Sequence, residues 1–265
     1  MPPPKSPREP RRIKSIEVGF RILRLLEQSG EKLPLRDIAA GVGMPPSNAY
    51  LYLASFVYEG VAEQDPATGR YGLGPFAVQL GGAALRQSSL VERAKDLLTQ
   101  LRDQTRNSAS LAVWGNRGPT IVFHIDGAQY GPMGIRVGNV LPVLSTATGR
   151  VFLSWLPAEQ TGALIEQERA ASLSLAGSFD ARIRNAGIDE IAASVRAAGW
   201  AQTDPSMAGG FAAAAAPVFD QTGHICAAVT TIGPERQEAG AMEEIGRKLR
   251  EVAEELSKRL GGGRR

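Results

Sequence analysis

Residues 16–26, IEVGFRILRLL, followed by LPLRDIAAGVG (33–43) and MPPSNAYLYLASFVYEG (44–60), decide how the amino-terminal quarter of this 265-residue chain reads. In the first stretch, Ile16, Phe20, Leu23 and Leu26 have the spacing that puts apolar residues on one face of an α-helix. The second repeats the pattern at Leu35, Ile38, Ala39 and Val42, and Gly43 supplies the positive φ that stops a helix. The third opens on a proline pair suited to a first helical turn, carries a stripe at Ala49, Leu53, Phe56 and Val57, and stops at Gly60. VAEQ (61–64), a DPATG turn and RYGL (70–73) then read as a short hairpin. Helices joined by a tight turn and followed by a hairpin make a winged helix-turn-helix, the unit that lays its last helix in the major groove of a duplex.

Three amphipathic helices and a hairpin also fit other small helical domains, and the distribution of charge favours DNA among them. Lys5, Arg8, Arg11, Arg12 and Lys14 precede the first helix with only Glu9 against them, and Arg36 and Arg70 fall on the second helix and the wing. A solvated tail can have this composition, but these cations are expected where a duplex backbone would pass. The formal net charge is only +3, so the basicity is local. Residues 1–12 are proline-rich and charged without an apolar centre, which reads as a disordered basic arm and not a signal peptide. The single cysteine, Cys226, leaves no internal disulfide, and no apolar run approaches the roughly 18 residues of a membrane span. A cytoplasmic protein is expected.

The rest of the chain predicts a second, larger domain. Residues 13–74 form the expected DNA-binding domain, and 75–88 a linker helix with apolar residues at Phe76, Leu80, Ala83 and Ala84. Ser89 with Glu92 is a capping-box spacing, and Ala94, Leu97, Leu98 and Leu101 make the buried stripe of the helix that opens a domain spanning 89–262. SLAVW (110–114), TIVFHI (120–125) and GIRV (134–137) read as strands, and FAAAAAPVFD and HICAAVTTIG as a hairpin about a QTG turn. Helices are expected within 141–156, from Pro157, within DEIAASVRAAG up to Gly199, and at the carboxyl end. The fold class is therefore α+β: a winged helix-turn-helix, a linker helix and an α/β domain with a mostly antiparallel sheet.

Catalytic and cofactor signatures are missing from the sequence. His124 and His224, the two histidines, both lie in strand-like patterns and read as structural. No Cys/His/carboxylate spacing suits a metal, and there is no G-x-S-x-G elbow or P-loop. Gly72, Gly74 and Ala77 match G-x-G-x-x-A, but without the preceding buried strand they read as the corner between wing and linker. No cofactor, no metal and no enzymatic activity are expected.

The chain resembles the isocitrate lyase regulator (IclR) family of bacterial transcription factors. The resemblance is carried by SIEVGFRILRLL, LPLRDIAAGVGMPPSNAY, DPATGRYGLGP, LPVLSTATGRVFLSWLP, AAAPVFDQTGHICAAVTTIGP and the closing helix, in the family's order from Ile16 to Leu260. It implies a dimerising linker helix, a GAF-like effector-binding domain, and homodimers that often pair into tetramers on operator DNA. The third helix departs from the family by carrying Pro46, Tyr50, Leu51 and Tyr52 where a basic residue or two is usual. Base readout is then expected from Ser47, Asn48 and Tyr50, with phosphate contacts from Arg11, Arg12, Lys14, Arg36 and Arg70.

The effector site is expected at LPVLSTATGRV, where Ser145 and Thr146 precede a helix whose first amides, near Ala147 and Thr148, can hold a carboxylate. Helix capping by Ser and Thr is the equally good reading on residues alone. The resemblance adds polar pocket positions at Thr203, Ala213, Thr230 and Ile232, and an apolar wall of Tyr130, Met133 and Leu141. Two of those four are apolar and none is charged, which points to a carboxylate with an apolar or aromatic body. Two function classes follow: a ligand-controlled transcriptional regulator, and a cytosolic sensor or enzyme whose helical amino terminus serves oligomerisation.

Overall fold

The computed structural model describes residues 13–87, 89–128, 135–173, 187–203, 210–234 and 240–262. The chain divides into two compact units, Met1–Gln87 and Ser88–Arg265.

In the first unit, α1 (Lys14–Ser29), α2 (Leu35–Gly41) and α3 (Pro46–Tyr58) precede a two-stranded antiparallel hairpin of β1 (Ala62–Gln64) and β2 (Tyr71–Leu73), and α4 (Pro75–Gln87) follows. A core of Ile22, Leu26, Ile38, Leu53, Ala62 and Tyr71 joins the three helices to the wing. The face that α1 buries differs from the expected one. Gly19, Ile22 and Leu26 point inward, while Ile16 and Phe20 remain about half exposed, at 54% and 52%. Gly19 faces α3 on this side: a Cβ there would lie 2.8 Å from the tip of the Phe56 ring, so the glycine makes room for that side chain. On α3, Ala49 and Leu53 are buried and Phe56 packs against the core, but Val57 is exposed. Gly43 and Gly60 carry the positive φ expected after α2 and α3.

The wing is pinned at both ends. Asp65 accepts from the amides of Ala67 and Thr68, contacts that hold its carboxyl below the usual carboxylate range despite exposure. Leu33, ahead of α2, exchanges two 2.8 Å main-chain hydrogen bonds with Tyr71. At the corner into α4, a Cβ on Gly74 would strike the carbonyl oxygens of Gly60 and Ala62, which explains the glycine without a nucleotide fingerprint. The linker stripe is not buried within the chain, since Phe76 and Leu80 are exposed.

In the second unit, α5 (Ser89–Thr105) leads into β3 (Ser108–Gly115) and β4 (Gly118–Ile125). Then come α6 (Ala147–Trp155), α7 (Ala158–Leu173), α8 (Ile188–Ala198), β5 (Ala201–Gln202), β6 (Phe211–Phe219), β7 (Ile225–Pro234) and α9 (Ala241–Arg259). The strands form one antiparallel sheet in the order β4-β3-β7-β6-β5. One face, with Ala112, Ile121, Ala215 and Ala228, packs under Val151 and Phe152 of α6 and Val195 of α8. The alternate residues Leu111, Val229 and Ala216 form a cross-strand row of zero exposure on the other face, the side of α5 and α9. The alanine-rich β6 follows from this double coverage, because small side chains let helices approach a central strand on both sides. Among the described residues of the expected strand GIRV, Ile135 to Val137 are not strand, and the nearest ladder contact is the isolated Thr120–Val140 bridge. His224 sits in the turn before β7, not in a strand, and β5 carries no sequence signal at two residues.

Candidate functional site

The first unit exposes one side of α3. Ala49 and Leu53 turn inward, which leaves Ser47, Asn48, Tyr50 and Leu51 outward, with Tyr50 and Leu51 at 52% and 65% exposure. The side chains of Ser47 and Asn48 make no hydrogen bond to any described residue, so the Asn48 amide offers both a donor and an acceptor. Lys14 is exposed at the start of α1 and lines a surface recess with Phe20, Arg21 and Arg24. Arg36 is largely exposed and pairs with Asp37 at 3.1 Å. Arg70 is exposed on the wing, and its Nη1 donates to the Lys32 carbonyl at 3.1 Å, so it also ties the wing to the segment before α2. Arg11 and Arg12 lie outside the described residues.

The second unit gathers several expected positions around the start of α6. Thr146 is the N-cap and accepts from the Gly149 amide at 2.9 Å, so the capping reading holds for that residue. The amides of Ala147 and Thr148 come before the first intrahelical bond, Arg150 to Thr146, and the two residues are 1% exposed. The Thr148 and Thr230 hydroxyls bond to each other at 2.8 Å, joining α6 to β7. Thr230 pairs in register with Ser110 on one side and Ala215 on the other, on the sheet face that α6 covers. Ala213 pairs with Ile232 one row away, and Thr203 brackets Ala213 by donating its amide to that residue's carbonyl and accepting from its amide. Leu141 packs against the same core, whereas Tyr130 and Met133 lie outside the described residues.

Ser145 has a different partner from the expected one. Its amide and hydroxyl both donate to Glu168 Oε1, at 3.0 and 2.7 Å, and the amides of Val143 and Leu144 donate to Glu168 Oε2 at 2.8 and 2.9 Å. Sequence reading passes over Glu168, although it falls on the buried stripe of α7 with Thr161 and Ile165, where an acidic residue signals a fixed partner. Arg150 adds a second brace, donating from Nε to the Leu144 carbonyl and from Nη1 to the Gln202 carbonyl, at 2.8 and 3.0 Å. His124 extends the polar row of the sheet: its Nδ1 is 2.8 Å from Ser110 Oγ and its Nε2 is 3.2 Å from Asp126. Among the described residues no group of three or more His, Cys, Asp or Glu side chains could hold a metal ion. No described helix is long and apolar enough to cross a membrane.

Comparison with known proteins places these geometries in a family context. The model of the IclR helix-turn-helix domain matches residues 15–66, and that of the bacterial transcriptional regulator IclR C-terminal domain matches residues 82–258. The glycerol operon regulatory protein of Streptomyces griseus is 32% identical over 257 residues, covering 96% of this chain and 99% of that one. The crystal structure of Pseudomonas aeruginosa HmgR is 32% identical with a TM-score of 0.55, covering 94% of this chain and 99% of that one. An IclR homolog from Microbacterium hydrocarbonoxydans, solved with 4-hydroxybenzoate, shares the fold at TM-score 0.74 and 20% identity, covering 92% of this chain and 98% of that one.

Proposed function

Because the chain belongs to the IclR family of bacterial transcriptional regulators, we propose how it reads its operator and which chemical class of effector it senses. It is a DNA-binding regulator with an amino-terminal helix-turn-helix and a carboxy-terminal effector-binding domain. In our reading, α3 enters the major groove of double-stranded operator DNA and reads bases through Ser47, Asn48 and Tyr50. Arg11, Arg12, Lys14, Arg36 and Arg70 contact phosphates. The exposure of the Asn48 amide, with no intramolecular partner among the described residues, supports this assignment. The chain acts as a homodimer, and a second copy covers apolar side chains that this chain leaves exposed: Ile13, Ile16 and Phe20 on and beside α1, and Phe76, Val78 and Leu80 on α4.

The effector is a small monocarboxylate with an apolar or aromatic body. The observation that supports this is that Ala147 and Thr148, both buried residues, form the first turn of α6, where a helix N-terminus favours an anion. Around this helix start lie hydroxyls at Thr148 of α6, Thr230 of β7 and Thr203 after β5, and apolar groups at Ala213, Ile232 and Leu141. Tyr130 and Met133 complete the apolar wall in this reading. The ligand of the Microbacterium homolog, 4-hydroxybenzoate, has this chemistry.

Thermal shift of the full-length protein with benzoate, 4-hydroxybenzoate, benzamide and glyoxylate tests the reading. An acid at a hundred times its Kd stabilises the protein by about 2.7 kcal/mol, and the paired amide does not. Equal shifts from benzoate and benzamide would remove the carboxylate assignment, and a preference for glyoxylate would remove the apolar body.

A further inference from the structure

No charged residue lies on α3, which runs PSNAYLYLASFVY from Pro46 to Tyr58. With about 3.6 residues per turn, the position opposite the buried pair Ala49 and Leu53 is Leu51, which is 65% exposed. Ser47, one turn before Leu51, and Tyr58, two turns after it, are exposed on the same line. Asn48 and Tyr50 flank that line, so the middle of the outward face is aliphatic. Ser55, the next hydroxyl along, donates its Oγ hydrogen to the Leu51 carbonyl at 3.0 Å, and Ala54 beside it is exposed. Exposed cations lie on the elements around α3, at Lys14 on α1, Arg36 on α2 and Arg70 before β2.

This distribution selects among base pairs. In the major groove Arg or Lys reads guanine, a carboxylate reads cytosine and Asn or Gln reads adenine, while the thymine 5-methyl is matched by apolar contact. With no guanidinium, ammonium or carboxylate on α3, the readers of a G·C pair are missing from it, whereas Asn48 and Leu51 suit the two halves of an A·T pair. A leucine held against the edge of a G·C pair leaves its donors and acceptors without water and without a partner, which costs binding energy. Against thymine the same leucine buries a methyl group.

We infer that Leu51 is a specificity-determining residue that packs on a thymine 5-methyl, and that the base pairs facing the middle of α3 are A·T. This rests on the reading above that α3 lies in the major groove of the operator. Asn48 and Leu51 are three positions apart, about 4.5 Å along the helix axis. Base pairs are stacked about 3.4 Å apart, so the adenine and the methyl that the two side chains meet belong to the same pair or to adjacent ones.

Duplexes are selected from a random-sequence library by the full-length protein, and the enriched duplex is resynthesised with deoxyuridine at each thymine in turn, which removes the 5-methyl and leaves the pairing edge intact. Wild type, Leu51→Ala, Leu51→Met and Asn48→Ala are compared on these duplexes. The wild type is expected to lose about fourfold in affinity at a thymine of the site, the factor that corresponds to one buried methyl-sized group. Leu51→Met and Asn48→Ala are expected to keep that loss, and Leu51→Ala to bind the thymine and deoxyuridine duplexes alike. Because Leu51 is mainly exposed, Leu51→Ala is expected to retain the melting temperature and the nonspecific DNA affinity of the wild type. A purely structural role lowers both and leaves the methyl dependence in place. Tolerance of deoxyuridine at every thymine by the wild type, or a methyl effect that survives in Leu51→Ala, overturns the inference. An enriched site of G·C pairs whose choice is altered by Asn48→Ala also overturns it, while leaving α3 in the groove. If no substitution on α3 changes base choice, the major-groove reading fails and the inference falls with it. A changed oligomeric state in Leu51→Ala without a methyl effect assigns the face to a second copy and overturns the inference as well.

Discussion

At the scale of single residues, the most legible positions are those whose role is fixed by backbone geometry. Gly43 and Gly60 end their helices at positive φ, as the pattern of the sequence requires. Gly19 and Gly149 are not legible in the same way, because their role is close approach. A Cβ on Gly19 would crowd the tip of the Phe56 ring, and one on Gly149 would strike the main chain of Pro142 and Val143. Nothing in a one-dimensional pattern distinguishes such a glycine from a flexible one, which is why the inward face of α1 differs from the expected one by a helical row. Glu168 escapes sequence reading for a related reason, since its partners are main-chain amides of a distant turn. The lone cysteine makes a residue-scale prediction. Burial, with a smaller contribution from the charge of Asp220, pushes the Cys226 thiol up to about 11. At pH 8 the thiolate fraction is then on the order of a hundredfold below that of an ordinary thiol. Alkylation of native protein by iodoacetamide at pH 8 is expected to lag the urea-unfolded chain by about that factor. Labelling at equal rates would show that the thiol is not shielded in β7.

At the scale of elements, helices with strong periodicity and the long β6–β7 hairpin are readable, whereas Ile135–Val137 carries β-branched residues without a ladder to join. Strand propensity there is overridden because the chain turns between Arg136 and Asn139, and the edge of β4 is met only by the residues from Gly138 to Leu141. The two-residue β5 is created by pairing with β6 and has no pattern of its own. An ion pair that sequence could not show fastens α5 to α9. Arg259 reaches both Asp96 carboxylate oxygens, at 2.7 and 2.8 Å, while Arg93 and Arg259 each donate to the other's main-chain carbonyl. The Arg259 hydrogen bond, ahead of its charge, holds the Asp96 carboxyl below its ordinary value. A depressed carboxyl contributes stability above its unfolded pKa and loses it as pH falls through the folded one. Asp96→Asn is therefore expected to lower Tm slightly at pH 7, with the difference closing as pH drops below about 4. A gap between the two melting curves that is constant from pH 7 to pH 3 would show that the ion pair does not contribute. The effect is small because both partners are substantially exposed.

At the scale of the whole molecule, the order of the two units and the family are legible in the sequence, while the proposed effector site is legible only as scattered positions. The structure brings Thr148 to Thr230 across 82 residues and Thr203 to Ala213 across 10. The charge distribution predicts how the molecule holds DNA. Removing residues 1–12 is expected to weaken binding to all sequences alike, and to lower the log-log salt slope by about one for each phosphate that is no longer neutralised. Arg70→Ala should act in the same direction, with an added cost from the wing's broken tether to Lys32. An unchanged slope in both would place arm and wing away from the duplex. Asn48→Ala is expected to behave oppositely, costing roughly 1 to 3 kcal/mol of discrimination at one base pair while leaving nonspecific affinity and its salt slope nearly intact.

Whether this regulator reads bases through α3 under the control of an effector is decided by selection of genomic DNA fragments with the full-length protein. It is run at physiological salt with and without 4-hydroxybenzoate, alongside Asn48→Ala. The wild type is expected to enrich a small set of fragments sharing one site, the ligand to change their recovery, and Asn48→Ala to broaden the set. Recovery of fragments in proportion to their abundance, unaffected by ligand and by the substitution at Asn48, would contradict this reading.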